Sequence, residues 1–232
     1  MSAVPESPGL AETARRMRGR LPPAVRDLAM RLGADPRRMR AALRLEQRGR
    51  MRSIDSARWM AFRAKQTIST VRCAFDWRAR AGPAGLITAR DALTEDGGRF
   101  DVRALGLIPI VHAEPTLALQ RGQLLRYLAE LAWAPDAILN NEQLRWRPDG
   151  RDGLAVSAGS GEAAAEVALS LDSQGRIAGS FAPDRPRSAK ATFLPTPWRG
   201  RFSDYRLHDE RWLPFAAEVC WEIDGEEVVY WQ

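Results

Sequence analysis

Residues 115–133 read PTLALQRGQLLRYLAELAW. Leu117, Leu124, Leu125, Leu128, Leu131 and Ala132 return at helical spacing on one broad apolar face, and Pro135 stops the pattern. The stretch predicts one long helix, with a period of two on both sides of it. Upstream, Met39, Ala41, Leu43, Leu45 and Met51 alternate with Arg38, Arg40, Arg44, Glu46, Arg48 and Arg50. This is the pattern of a half-buried strand with a basic outer face. Phe62, Ala64, Gln66 and Ile68 share a face of the next strand, and Cys73, Phe75, Trp77 and Ala79 a face of the one after. Residues 86–93 and 100–111 extend the series around the turn Glu95-Asp96-Gly97-Gly98, with Pro109 expected at an edge or bulge.

Downstream of the helix, a short helical turn is expected over 136–139. Strands follow over 154–158, 162–171, 176–182, 202–207, 212–221 and 227–231. The Pro/Arg-rich segment 183–200 reads as a long functional loop. Strand meander, helix and second meander imply an α+β fold: a large curled antiparallel sheet, half-barrel-like, wrapped around helix 115–133. A sheet of roughly nine or ten strands has to curl. Ahead of it, Leu10, Ala14, Met17 and Leu21 mark a short helix. Val25, Leu28, Ala29 and Leu32 mark another that starts after Pro22-Pro23 and ends at Gly33. Residues 1–20 are expected to form a flexible basic lead with a short helix, and 21–232 a single α+β domain.

Of the 35 basic residues, only Lys65 and Lys190 are lysine, which leaves 33 arginines. Residues 1–50 hold 12 arginines and 5 acids, a balance of +7; the remainder, 23 basic against 24 acidic, is −1. The formal net charge of +6 therefore belongs to the N-terminal segment. No run of about 18 apolar residues is present. The opening MSAVPESPGLAETARR also lacks the basic-then-apolar order of a secretory signal, so a cytoplasmic location is expected. Cys73 and Cys220 lie in strand-like runs and read as free, buried thiols.

Several segments are familiar. LPPAV (21–25), FRAKQ (62–66), FDW (75–77), RGQLLRYLAELAWAPDAIL (121–139), PTPWRGRFSDY (195–205) and EVCWEIDG with the final YW (218–231) together resemble a widespread bacterial family of unknown function. The RYLAE-xx-W-x-P element, Arg126 to Pro135, is its most specific part. Many members of that family carry transmembrane segments ahead of this domain, where this chain has an arginine-rich lead. In layout alone, the order of elements resembles the curled half-barrel of periplasmic lipoprotein carriers, which hold acyl chains against a central helix. The family brings no established activity with it.

Arg126 and Glu130 stand at i and i+4 on the helix, beside its apolar face. They are the candidate catalytic pair, with Glu130 as acid or base and Arg126 as a carboxylate binder. Asp91 and the aromatics Tyr127, Trp133, Trp146, Trp198, Tyr205 and Trp221 are candidates for lining a ligand cavity. DALTEDGG lacks calcium-loop spacing, and only His112 and His208 are available to ligate or catalyse, so no metal is expected. Nor is there a phosphate loop, a dinucleotide fingerprint or a G-x-S-x-G elbow, so no cofactor is expected.

Three readings of function follow. The first is a binding protein for an apolar or amphipathic small molecule, held between the curled sheet and helix 115–133. The second is a cofactor-independent isomerase, cyclase or hydrolase that uses Glu130. The third is an interaction module that docks through its basic N-terminal segment and first strand on nucleic acid, an anionic membrane or an acidic partner. Nucleic acid is the less expected partner for that segment, because its arginines have no aromatic residues among them.

Overall fold

The computed structural model describes residues 12, 16, 19–150, 153–189 and 192–232. Most of the expected helix over 10–21, like most of the 1–20 lead, lies outside the described residues; of its apolar marks Leu21 is described, and it is buried. Helix α1, Pro23–Arg31, starts on Pro23 and buries Val25, Leu28 and Ala29. It ends at Gly33, whose φ of 87° an L side chain rarely adopts.

Among the described residues, thirteen strands then form one antiparallel sheet. The first meander comprises β1 (Ala42–Met51), β2 (Met60–Ser69), β3 (Phe75–Ala81), β4 (Ile87–Thr94), β5 (Gly97–Ala104) and β6 (Ile108–Ala113). Helix α2, Leu117–Ala129, follows; the Thr116 side chain caps it by accepting from the Leu119 N–H. A 3-10 turn, Glu130–Ala132, and a short helix α3, Pro135–Asn140, lead into the second meander. That meander comprises β7 (Arg145–Asp149), β8 (Gly153–Ala158), β9 (Ala165–Leu171), β10 (Ile177–Ala189), β11 (Thr192–His208), β12 (Arg211–Ile223) and β13 (Glu226–Trp231). Among the described residues no helix is long and apolar enough to cross a membrane.

The spatial order runs β6 to β1, then β13 to β7, so the first strand meets the last. Helix α2 lies against β4 and β5 of one meander and β8, β9 and β10 of the other. Leu125, Tyr127, Leu128 and Leu131 are wholly buried beneath the curled sheet. The fold is thus the α+β half-barrel expected, with more strands than expected. The helix is also shorter than 115–133: 13 α-helical residues plus a three-residue 3-10 turn. Leu117 is 54% exposed and takes no part in its buried face.

Two local expectations are corrected. In its described residues, segment 183–200 is not a loop but the ends of β10 and β11, paired from Gly179 opposite Arg201 to Ala189 opposite Thr192 with a register shift between Ala182 and Arg185. Its prolines fit because Pro186 faces Pro195, where the outer edges of both strands are open. Strand β9 pairs β10 only as far as Phe181, and β12 pairs β11 only from Trp198. Residues 100–111 are not one strand, since a tight turn at Leu105-Gly106 separates β5 from β6. Both turn residues have positive φ, 54° and 72°, the conformation of a type I′ hairpin.

The two meanders join at a seam with only one register pair, Met51 opposite Trp231. Arg50 N–H donates to Gln232 O and Gln232 N–H to Arg50 O, both at 2.9 Å, and Arg52 N–H donates to Tyr230 O. Gly49 permits this closure: a Cβ there would lie 2.0 Å from the Gln232 carbonyl oxygen. Toward its other end the seam is bridged by α1, where Trp212 N–H donates to Leu32 O. Beside that bridge, Arg211 forms a buried two-pronged pair with Asp136 of α3, at 3.1 Å for both contacts. Their side chains are only 3% and 5% exposed.

Removing one member of a buried pair leaves the other charge uncompensated. Arg211→Ala is expected to lower the free energy of unfolding by about 3–5 kcal/mol in denaturant titration, with Arg211→Met/Asp136→Leu recovering most of it.

Candidate functional site

Helix α2 turns Arg126 and Glu130 inward, where burial demands that every polar atom find a partner. Arg126 Nε donates to Glu130 Oε1 at 2.7 Å and Nη1 to Asp91 Oδ2 at 2.6 Å. Its guanidinium lies over the rings of Phe75 and Trp77, at 4.8 and 5.2 Å. The chain of hydrogen bonds continues both ways. Gln66 Nε2 donates to Glu130 Oε2. Gln47 Nε2 donates to Gln66 Oε1 at 3.0 Å, and Trp77 Nε1 to Gln47 Oε1 at 2.8 Å. On the far side, Gln123 Nε2 donates to Asp91 Oδ1 at 2.7 Å and to Arg99 O at 2.9 Å. Burial works to lower the Arg126 pKa, but Glu130 and Asp91 outweigh it and hold the group firmly charged.

Three of the sequence candidates, Asp91, Arg126 and Glu130, are therefore brought together. Both Glu130 oxygens and both Asp91 oxygens accept hydrogen bonds, and the cation between them is stacked on two rings. This arrangement braces helix to sheet, with all four carboxylate oxygens taken up in hydrogen bonds.

The remaining candidates lie in separate places. Tyr127 donates to Ser69 O and accepts from Asn141 Nδ2, each at 2.9 Å, and burial pushes its pKa up. Tyr205 donates to Ile177 O at 2.7 Å under the Arg176 guanidinium, and burial raises its pKa as well. Trp198 donates to the Tyr230 hydroxyl at 3.0 Å; Arg185 caps Trp198 at 4.2 Å and Trp221 at 5.3 Å. Trp146 packs partly buried against the core, and its buried Nε1 has no partner.

Trp133 is the exception, because it sits at the seam. Its Nε1 donates to Pro214 O at 2.8 Å, and its ring packs edge-on against Phe202 at 5.2 Å. Between the closure at Met51 and the bridge at Trp212, β1 and β12 stand apart. A slot of about 600 Å³ opens there, lined chiefly by Leu45, Gln47, Trp133, Leu213, Ala217 and Trp231. The backbone groups of Arg50 and Arg52 bond across the seam, so by strand alternation those of Arg44, Glu46 and Arg48 point into the slot. Opposite them lies Pro214, a residue suited to an edge where no N–H is needed. One end is polar: Arg48, Arg50 and Gln232 border it, and Arg50 Nε donates to Gln232 Oε1 at 2.6 Å. At the opposite pole, Gln47 ties the slot wall to the Glu130–Arg126–Asp91 chain.

Of the slot residues, only Trp133 was anticipated. The overlooked signals are local: Gln47 and Gly49 interrupt the apolar face of β1, and Pro214 falls inside a strand run. A second cleft, of about 530 Å³, holds Cys73, Gln120, Leu124 and Arg145. The Cys73 thiol is pushed up to about 11 by burial, against the opposing effects of the Asn141 hydrogen bond and Arg145.

The model of DUF6544, a family of unknown function, matches residues 12–232. No curated protein matches the chain. Among solved structures, a LolA superfamily protein from Nitrosomonas europaea aligns with 13% identity and a TM-score of 0.45. The alignment covers 90% of this chain and 91% of that one.

Two outcomes test this geometry. Arg126→Met leaves Asp91 and Glu130 facing each other in the interior and is expected to lower stability by about 3–5 kcal/mol, measured by urea unfolding. Cys73, being largely protonated, should alkylate with iodoacetamide at pH 8 on the order of a hundredfold more slowly than a free cysteine, followed by mass spectrometry.

Proposed function

The chain belongs to that family of unknown function, and from its geometry we propose that it binds one small amphipathic molecule in the slot between β1 and β12. The reading rests on one observation: a sheet otherwise continuously paired is parted at its seam, and the gap has an apolar floor and a basic, polar end. A volume of about 600 Å³ suits small-molecule sites, which are apolar with a few placed polar groups. The apolar part of the ligand would lie on Trp133, Leu213 and Ala217. An anionic head would meet Arg48 and Arg50, both exposed, of which Arg48 makes no ion pair among the described residues. The Glu130–Arg126–Asp91 brace holds the Gln47 wall and the helix end that carries Trp133; it is support rather than a reacting group.

The test uses 8-anilinonaphthalene-1-sulfonate, an amphipathic anion, as the probe. One saturable site with energy transfer from tryptophan is expected for the native chain. Ala217→Trp, which fills the slot, should weaken that site by about tenfold or more while the thermal melt stays cooperative. Unchanged binding by Ala217→Trp, or no saturable binding at all, would overturn the reading.

A further inference from the structure

Because strands alternate in direction, the loops 52–59, 82–86 and 105–107 all emerge at one end of the first meander. Register groups the outer-face side chains near that end into rows. Arg48 lies opposite Arg63, Arg63 opposite Arg80, Arg80 opposite Thr88, and Thr88 opposite Arg103. Residues directly opposite one another share a face, so this is one transverse row of four exposed arginines and no acid. Adjacent strands are about 4.8 Å apart, so the row spans about 19 Å. Like charges side by side repel, yet none of the four pairs with a carboxylate among the described residues. The next row differs: there Glu46 pairs with Lys65, and Arg90 with Asp76. A broad depression of about 1270 Å³ covers this face.

Apolar side chains cluster at the same end, where no packing explains them. Leu107 is 81% exposed, Leu105 59%, Ile108 57% and Leu86 48%, and Leu105 N–H donates to Leu86 O at 2.7 Å, which joins two of the loops. On the third loop, Trp59 is partly exposed under the guanidinium groups of Arg50 and Arg52, at 4.8 and 5.1 Å. Asp55 is the one acid in the three loops.

We infer that this end of the sheet docks on an anionic lipid surface. The exposed leucines of the β5–β6 hairpin enter the boundary between headgroups and acyl chains, and Arg48, Arg63, Arg80 and Arg103 lie against the lipid phosphates. Exposed apolar residues rimmed by cations are the composition that binds such a surface. Trp59 is suited to the interfacial layer. A single-stranded nucleic acid fits less well: the face of Trp59 near the row is already covered by Arg50 and Arg52, and the aliphatic tip would stay in water.

The experiment is flotation of the full chain with vesicles of phosphatidylcholine alone or mixed with phosphatidylglycerol. Binding is expected to the mixed vesicles only and to weaken with salt. Each arginine should contribute about fivefold, so Arg63→Gln/Arg80→Gln/Arg103→Gln should lose on the order of a hundredfold. Leu105→Ser/Leu107→Asp should lose binding even at low salt. All these positions are exposed, so the variants should melt as the native chain does and retain the anilinonaphthalene sulfonate site, which separates this inference from the slot reading. Equal binding to both vesicle types, binding unaffected by either set of substitutions, or capture of a single-stranded oligonucleotide without vesicle binding would overturn it.

Discussion

The rest of the structure depends on the closure of the seam at Met51 and Trp231. A long antiparallel sheet accumulates twist from strand to strand and cannot remain flat. Here the twist is accommodated by two meanders that curl over one helix and touch edge to edge at a single register pair. Everything else on the concave side follows from filling the wedge they leave. Helix α2 contacts both wings, its 3-10 end presents Trp133 to the gap, and α1 spans the far end. Where the wedge is not filled, the slot remains.

A charge buried under that sheet needs explanation, since desolvation often exceeds the gain from pairing. Arg126 is satisfied by two carboxylates and two aromatic faces, and its partners are in turn held by Gln66 and Gln123. The chain passes from the Trp77 indole through Gln47 to the Arg99 backbone, so it couples β1, β2, β3, β4 and β5 to α2. Such a network specifies register more than it adds stability: sliding the helix by one residue would leave several buried polar groups unpaired.

The architecture was legible in sequence because period-two alternation is strong in β1, β2 and β3, and helical spacing is strong at 121–132. Each pattern reports which face is buried. What was not legible came from residues whose meaning depends on a neighbour distant in sequence. Proline at 186 and 195 reads as loop until the two residues face each other. Leu105-Gly106 reads as strand, because a type I′ turn with leucine at its first central position carries only glycine as a signal. The Arg126–Glu130 pair was visible as an i, i+4 spacing, and Asp91 was singled out separately. Their meeting requires β4 to lie under α2, which no local pattern encodes. The slot was the least visible feature, since an absence of pairing between the first strand and the last leaves no motif. Gly49 and Pro214 mark it only once the seam is known.

The most direct test of the account is residue-resolved amide hydrogen exchange along β1. The N–H groups of Arg50, Arg52 and Gln232 bond across the closed part of the seam, whereas those of Arg44, Glu46 and Arg48 face the slot. The account predicts strong protection for the first set and fast exchange for the second, while Leu43, Leu45 and Gln47, which pair with β2, stay protected. Equal protection of Arg44, Glu46 and Arg48 with Arg50 and Arg52 would mean that the seam is paired along its length, and the slot with its proposed ligand would be contradicted.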